Sequence, residues 1–298
     1  MHTPAHGRAG GKVILLGEHV VVYGRPALAT GVPLIVDATV EMGVGPQLVS
    51  EVATDPRTIR LVAEASRFVG LDPTSVVVRV RSEIPPGRGL GSSAALAVAV
   101  LRALSTAAGR RLDMATTLAQ GRVLEQIFHG TPSGVDPAAA ALGSCFRFVR
   151  GEPPVVTPVH AGARVRLVVA FGDRVRSTAA AVGGLQERWA TDRERHERLF
   201  DEVAGIVEEG VAALERGDLA GIGAAFDRNQ AVLETLGVSH PEVEALIASA
   251  RQAGALGAKL TGGGAGGAIV AVGSDVESIA NGLRHTGATV LVVDVSAG

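Results

Sequence analysis

The segment Pro85, Pro86, Gly87, Arg88, Gly89, Leu90, Gly91, Ser92, Ser93, Ala94 and Ala95 sets three alternating glycines and two serines at the head of an apolar helical run, AALAVAVLRAL. Glycine lets backbone approach a bound group closely. Free N–H groups and the positive end of the following helix would then converge on an anion. The Ser92 and Ser93 hydroxyls can bond a phosphate or a phosphate-bound magnesium ion. No Gly-Lys-Ser/Thr closes the segment, so it is not a P-loop. Gly89, Gly91 and Ala94 fit the degenerate dinucleotide pattern G-x-G-x-x-A. That pattern needs a second strand ending in an acid about 20 residues on, where Asp113 instead starts a helix. A purely structural glycine loop is the remaining alternative.

Two further segments carry candidate groups. EQIFHGTPSGVDP places Glu125 at a helix end and Asp136 just before Pro137. Asp136 can be a helix N-cap with proline following it, or a carboxylate that orients and deprotonates an attacking hydroxyl. TGGGAGG, 261–267, can line a ligand with bare backbone or serve as a flexible hairpin connection. The basic residues add a third signal: of 28, only Lys12 and Lys259 are lysines, and each adjoins a glycine-rich segment. Lysine offers a compact rotatable ammonium where arginine offers a rigid fork.

The elements that must hold these groups are legible from hydrophobic spacing. KVILLGEHVVVYG reads as a buried strand, a tight GEH turn and further extended chain. Residues 57–69 have helical spacing, and VVVRVRSEIP alternates as a strand with one wet face should. A helix follows the glycine loop and closes at Gly109. Asp113 is the expected N-cap of a helix reaching about His129. The Pro- and Gly-rich stretch 150–163 marks a domain boundary, giving an N-terminal domain 1–162 and a C-terminal domain 163–298. The latter is expected to hold a strand at VRLVVAFG, helices over 184–215, 219–235 and 241–253, and closing strands AIVAVG and ATVLVVDV. Such grouping indicates an α+β arrangement.

Composition excludes several functions. Net charge is −2 and aromatics are 3%, which leaves neither a basic field nor stacking platforms for nucleic acid. No zinc-ligand spacing occurs, and Ser92 and Ser93 do not sit in a G-x-S-x-G elbow. The single cysteine, Cys145, cannot form an intrachain disulfide, MHTPAHGRAGGK holds no apolar core of signal-peptide length before the first hydrophobic run, and the longest apolar stretch, AALAVAVLRAL, is too short to span a bilayer. The expected location is the cytoplasm, with no membrane and no nucleic-acid partner.

Taken together, the segments resemble the GHMP kinase superfamily. GKVILLGEHVVVYG (11–24), PPGRGLGSSAA (85–95) and AKLTGGGAGGAIVAV (258–272) look like its three motifs in the family's order. GEHVVVYGRPALA and HGTPSGVD are most similar to the mevalonate kinase branch. Two departures are Pro137-Ala138 where asparagine-alanine is common, and TGGGAGG in place of TGAGGGG. The resemblance implies an N-terminal domain like domain 2 of ribosomal protein S5 and a ferredoxin-like C-terminal domain. It implies ATP-dependent phosphorylation of the 5-hydroxyl of mevalonate, with Mg2+, in a chain that can be a homodimer. Another GHMP small-molecule kinase, or an ATP-binding sensor without turnover, are the alternatives. Carried over, residues 85–95 wrap the ATP phosphates, and Ser93 and Glu125 hold magnesium. Asp136 is the base, Lys12 stabilises developing charge, and Glu18, His19 and Thr178 lie near the substrate.

Overall fold

The structure, a computed structural model, describes residues 4–43, 47–50, 55–129, 132–172, 178–263 and 267–295, with backbone alone for 47–50 and 178–183. The chain forms two compact units. One comprises residues 1–12, 31–86 and 90–143, and the other 13–30, 87–89 and 144–298. Strands β1 (Ala5–Leu16) and β2 (Ala27–Met42) each run from one unit into the other.

In the first unit, β3 (Gln47–Ser50) pairs in parallel with β4 (Val76–Ser82), β4 pairs antiparallel with the second half of β2, and β1 also pairs with β2. Val76, Val78 and Val80 of β4 are buried while Arg79 and Arg81 are exposed, as the alternation predicts. Helix α1 (Pro56–Val69) starts on Asp55, whose side chain accepts from the Arg57 amide, and stops at left-handed Gly70. Helix α2 (Ser92–Ala107) is lined with buried alanine and valine, small enough for neighbours to approach. A methyl at Gly7 of β1 would stand 2.2 Å from the Ala99 carbonyl, so β1 lies against α2 itself. Helix α3 (Met114–Glu125) begins at the expected cap, Asp113, and helix α4 (Val135–Leu142) follows. Gly121 brings α3 within contact of Val98 on α2 and Pro137 on α4. This packing fixes the ends that carry Glu125 and Asp136.

In the second unit the GEH turn leads into a short 3-10 turn, Val20–Tyr23, rather than the extended chain that three valines suggest. Val20 and Val21 are buried, and Gly24 closes the turn at φ 83°. Packing here overrides β propensity. Strand β5 (Phe146–Val149) pairs with Ala27–Ala29 of β2 and with β6 (Val155–Pro158). Then come β7 (Val165–Phe171) and helices α5 (Thr178–Thr191), α6 (Arg193–Arg216), α7 (Leu219–Thr235) and α8 (Pro241–Gln252). The helix expected over 184–215 is two, divided where Asp192 caps α6 by accepting from the Arg195 amide. Strands β8 (Gly257–Leu260) and β9 (Ala268–Val272), helix α9 (Val276–His285) and strand β10 (Thr289–Val295) complete the unit. The sheet order is β10-β7-β9-β8 with every pair antiparallel. Strand, helices, two strands, helix, strand is the ferredoxin-like succession. Among the described residues, no helix is long and apolar enough to cross a membrane.

Candidate active site

The loop 85–95 is shaped by three left-handed glycines, Gly87 (φ 73°), Gly89 (φ 74°) and Gly91 (φ 75°). Gly91 is the N-cap of α2, and the first helical bond runs from the Ala95 amide to the Gly91 carbonyl, 2.9 Å. The amides of Ser92, Ser93 and Ala94 therefore precede the ladder and are free for an anion. Leu90, Ala94 and Ala95 are buried and anchor the loop. The Arg88 guanidinium turns away to the Gly172 carbonyl and over the Phe171 ring.

Lys12 and Asp136 meet beside this loop. Lys12 Nζ stands 3.3 Å from Asp136 Oδ2, with the lysine side chain 4% and the aspartate 22% exposed. The Lys12 amide donates to the Leu90 carbonyl at 2.9 Å. A Cβ on Gly91 would lie 2.8 Å from Lys12 Cγ, so the loop can pass the lysine only as glycine. Asp136 is not the cap of α4. Gly134 is the N-cap, and Asp136 sits in the first turn, where a carboxylate is favoured by the helix dipole. Its carboxylate is therefore committed to Lys12 rather than to backbone amides.

Glu125, the last residue of α3, is 3% exposed, and its Oε2 has no hydrogen-bond partner among the described residues. Burial pushes its carboxyl well above the usual range and nearby Asp136 adds to the push, while Lys12 opposes it. A buried carboxylate with a vacant oxygen beside a second carboxylate is a poor structural element and a good cation ligand. Ser93 Oγ lies 3.2 Å from His129 Nε2, a neighbour to which no sequence motif pointed. Of these groups, the unpartnered carboxylate oxygen of Glu125 is the one suited to a hard cation such as magnesium.

Glu18 and His19 belong to the second unit. Glu18 is buried, and Lys259 Nζ donates to its Oε1. His19 is held at φ 63°, and the Gly17 amide before it donates to Asn229 Oδ1 at 3.1 Å. Asn229 is buried and was not foreseen, being 212 positions away in the chain. Thr261 accepts from the Ile14 amide at 3.1 Å and donates to its carbonyl at 2.8 Å, tying the third glycine segment to β1. Residues 264–266 of that segment and Gly130 and Thr131 of the HGTPSGVD turn lie outside the described residues. Thr178 opens α5, and its side chain lies outside them too.

The chain has relatives among known proteins. Residues 56–144 match the family model of the GHMP kinases N-terminal domain, and 211–289 match that of the GHMP kinases C-terminal domain. The chain belongs to the GHMP kinases, and is an ATP-using enzyme of the two-domain α+β fold of that family. Relatives that match along most of its length include mevalonate kinases. The enzyme of Methanothermobacter thermautotrophicus is 32% identical, over 88% of this chain and 88% of the relative. That of Aeropyrum pernix is 33% identical, over 91% and 89%. Among solved structures, L. major mevalonate kinase in complex with R-mevalonate superposes with a TM-score of 0.86 at 29% identity, covering 100% of this chain and 98% of that one.

Proposed function

We infer that this enzyme transfers the γ-phosphoryl group of ATP to the 5-hydroxyl of mevalonate, giving 5-phosphomevalonate and ADP. The likeness to the L. major enzyme, whose crystal structure holds R-mevalonate, supports the substrate. The Lys12–Asp136 pair at the head of α2 is the observation that carries the reaction.

Phosphoryl transfer asks for positioning and charge stabilisation more than covalent chemistry. The loop amides of Ser92, Ser93 and Ala94 grip the ATP phosphates. Asp136 accepts the proton of the substrate hydroxyl as the new O–P bond forms and the bond to the β-phosphate oxygen breaks. Lys12 offsets negative charge on the attacking oxygen and on the phosphoryl group in transit. Magnesium, held by Ser93 and Glu125, would neutralise phosphate charge. Glu18, His19 and Thr178 bind mevalonate. The reading includes the division into a nucleotide- and substrate-binding part, 1–162, and a C-terminal part, 163–298. It also includes a cytoplasmic location and the capacity to form a homodimer.

The test is ADP release with mevalonate, phosphomevalonate, galactose and homoserine offered in turn. Mevalonate should be preferred by at least about 100-fold in kcat/KM, the discrimination a polar site achieves readily. Absence of turnover on millimolar mevalonate refutes the assignment. ATP binding without turnover of any of the four would instead make the chain a ligand sensor.

A further inference from the structure

Lys259 is one of only two lysines in the chain, and the mechanism above gives it no part. It lies in β8 with its side chain wholly buried, donating to Glu18 Oε1 and, at 2.6 Å, to the Leu260 carbonyl. Taking two charges out of water costs several kcal/mol that their attraction need not return, and an apolar pair would often pack there at less cost. Stability is therefore a weak reason for this pair to exist.

Its neighbourhood supplies another reason. His19, adjacent to Glu18, is the one non-glycine residue with positive φ among the described residues, at φ 63° and ψ −45°. Its ring is buried, and Nε2 has no hydrogen-bond partner among those residues. Gly17 before it is equally constrained, since a Cβ there would stand 2.4 Å from the Pro26 carbonyl. Strained backbone and an unsatisfied buried nitrogen persist only where the surroundings enforce them, and such features gather at ligand sites. The charged groups acting on the ring are Lys259 from β8 and Arg188 from α5; Glu18 precedes it in the turn.

We propose that Lys259 is a positioning residue: by fixing the Glu18 carboxylate it locks the Gly17–His19 turn and leaves Nε2 of His19 for a hydroxyl of the substrate. A hydroxyl both donates and accepts, so it suits either tautomer of the ring. Burial, Lys259 and Arg188, in that order, lower the His19 pKa to about 4, so the ring stays neutral through the physiological range. The inference rests on the reading of Glu18 and His19 as substrate contacts.

Two measurements on the full-length enzyme test it. In the first, the His19 ring is titrated by NMR in protein with labelled histidine, without ligands, in the wild type and in Lys259→Met. The wild-type ring should stay neutral down to about pH 5, and loss of the ammonium should raise its midpoint by at least about one pH unit. In the second, the KM for mevalonate should rise about 10-fold or more in Lys259→Met while the KM for ATP holds and kcat falls much less. That is the signature of lost ground-state positioning, and Lys259→Arg should restore part of it. A wild-type midpoint near 6.5 overturns the proposal, and so does a Lys259→Met enzyme that loses kcat at unchanged KM or melts earlier with unchanged kinetics. The wild-type titration needs neither a variant nor a substrate. It can therefore overturn the proposal even if Lys259→Met does not fold, and separately from whether mevalonate is the substrate; in that case Lys259→Arg supplies the kinetic arm, and an Arg variant with wild-type KM supports positioning by the cation.

Discussion

Lys12 is held at both ends: its amide donates to the Leu90 carbonyl at 2.9 Å, and its ammonium stands 3.3 Å from Asp136 Oδ2. One residue thereby ties the loop 85–95 to the carboxylate proposed as the base. Replacing either partner should cost chemistry more than folding. Asp136→Asn and Lys12→Met are each expected to lower kcat by at least about 100-fold, the scale of a lost acid–base or charge-stabilising group. Because Gly134, not Asp136, caps α4, the melting temperature of Asp136→Asn should stay within a few degrees of wild type. A variant that unfolds while keeping full activity per folded molecule would return Asp136 to a structural role.

The close passage of Gly91 over Lys12 gives a second expectation. At φ 75°, with Lys12 Cγ 2.8 Å from where a methyl would stand, Gly91→Ala is both strained and crowded. It should lose about 1–2 kcal/mol of stability and raise the KM for ATP. Thermal melts and ATP titrations that match wild type would show that the loop is not held by this contact.

Glu125 gives a third, with a definite sign. Its carboxyl is pushed up by burial and by Asp136, so the protonated form is favoured in the folded protein. The stability this group contributes is complete at acid pH and declines as pH rises through its folded-state pKa. Magnesium with nucleotide should relieve the cost of ionising it, so their stabilising effect on the melting temperature should grow from pH 5.5 to pH 8. Glu125→Gln should flatten that dependence and raise the magnesium requirement. An unchanged magnesium titration in the variant removes Glu125 as a ligand.

His19 has the opposite sign. Its pKa is lowered from 6.5 to about 4, so the neutral ring is favoured on folding. The stability it contributes is intact above pH 6.5 and is lost as pH falls towards 4, by about 3 kcal/mol in full. His19→Asn tolerates positive φ and does not titrate. Wild type should therefore lose more stability than this variant between pH 7 and pH 4. Parallel acid unfolding curves would contradict the buried-ring account.

Much of this is legible in the sequence, and the reasons are local. Asp113 capping α3, the alternation of β4 and the start of α2 at Ser92 follow from side chains within a few positions of each other. What was missed has two sources: local backbone conformation that side-chain pattern does not show, and partners distant in the chain. Val20–Tyr23 reads as strand, and becomes a 3-10 turn because His19 and Gly24 bracket it with left-handed backbone. GAKL, the four residues of β8, is too short to show a period and is buried on both faces. Asp136 before Pro137 leaves cap and base both open in the sequence, and Gly134 at the cap position removes the first. The Glu18–Lys259 contact joins residues 241 positions apart, and nothing near either one announces it.

The two lysines carry one more implication. Both are buried, Lys12 at 3% and Lys259 at 0% exposure, so every permanently cationic side chain on the exterior is an arginine. Reagents and enzymes that acylate side-chain amines find nothing to modify on the outside of the folded protein. An ATP analogue bearing an acyl-phosphate warhead, delivered to the loop beside Lys12, would meet a single accessible target. Labelling would then count occupied nucleotide sites directly, against an almost silent surface.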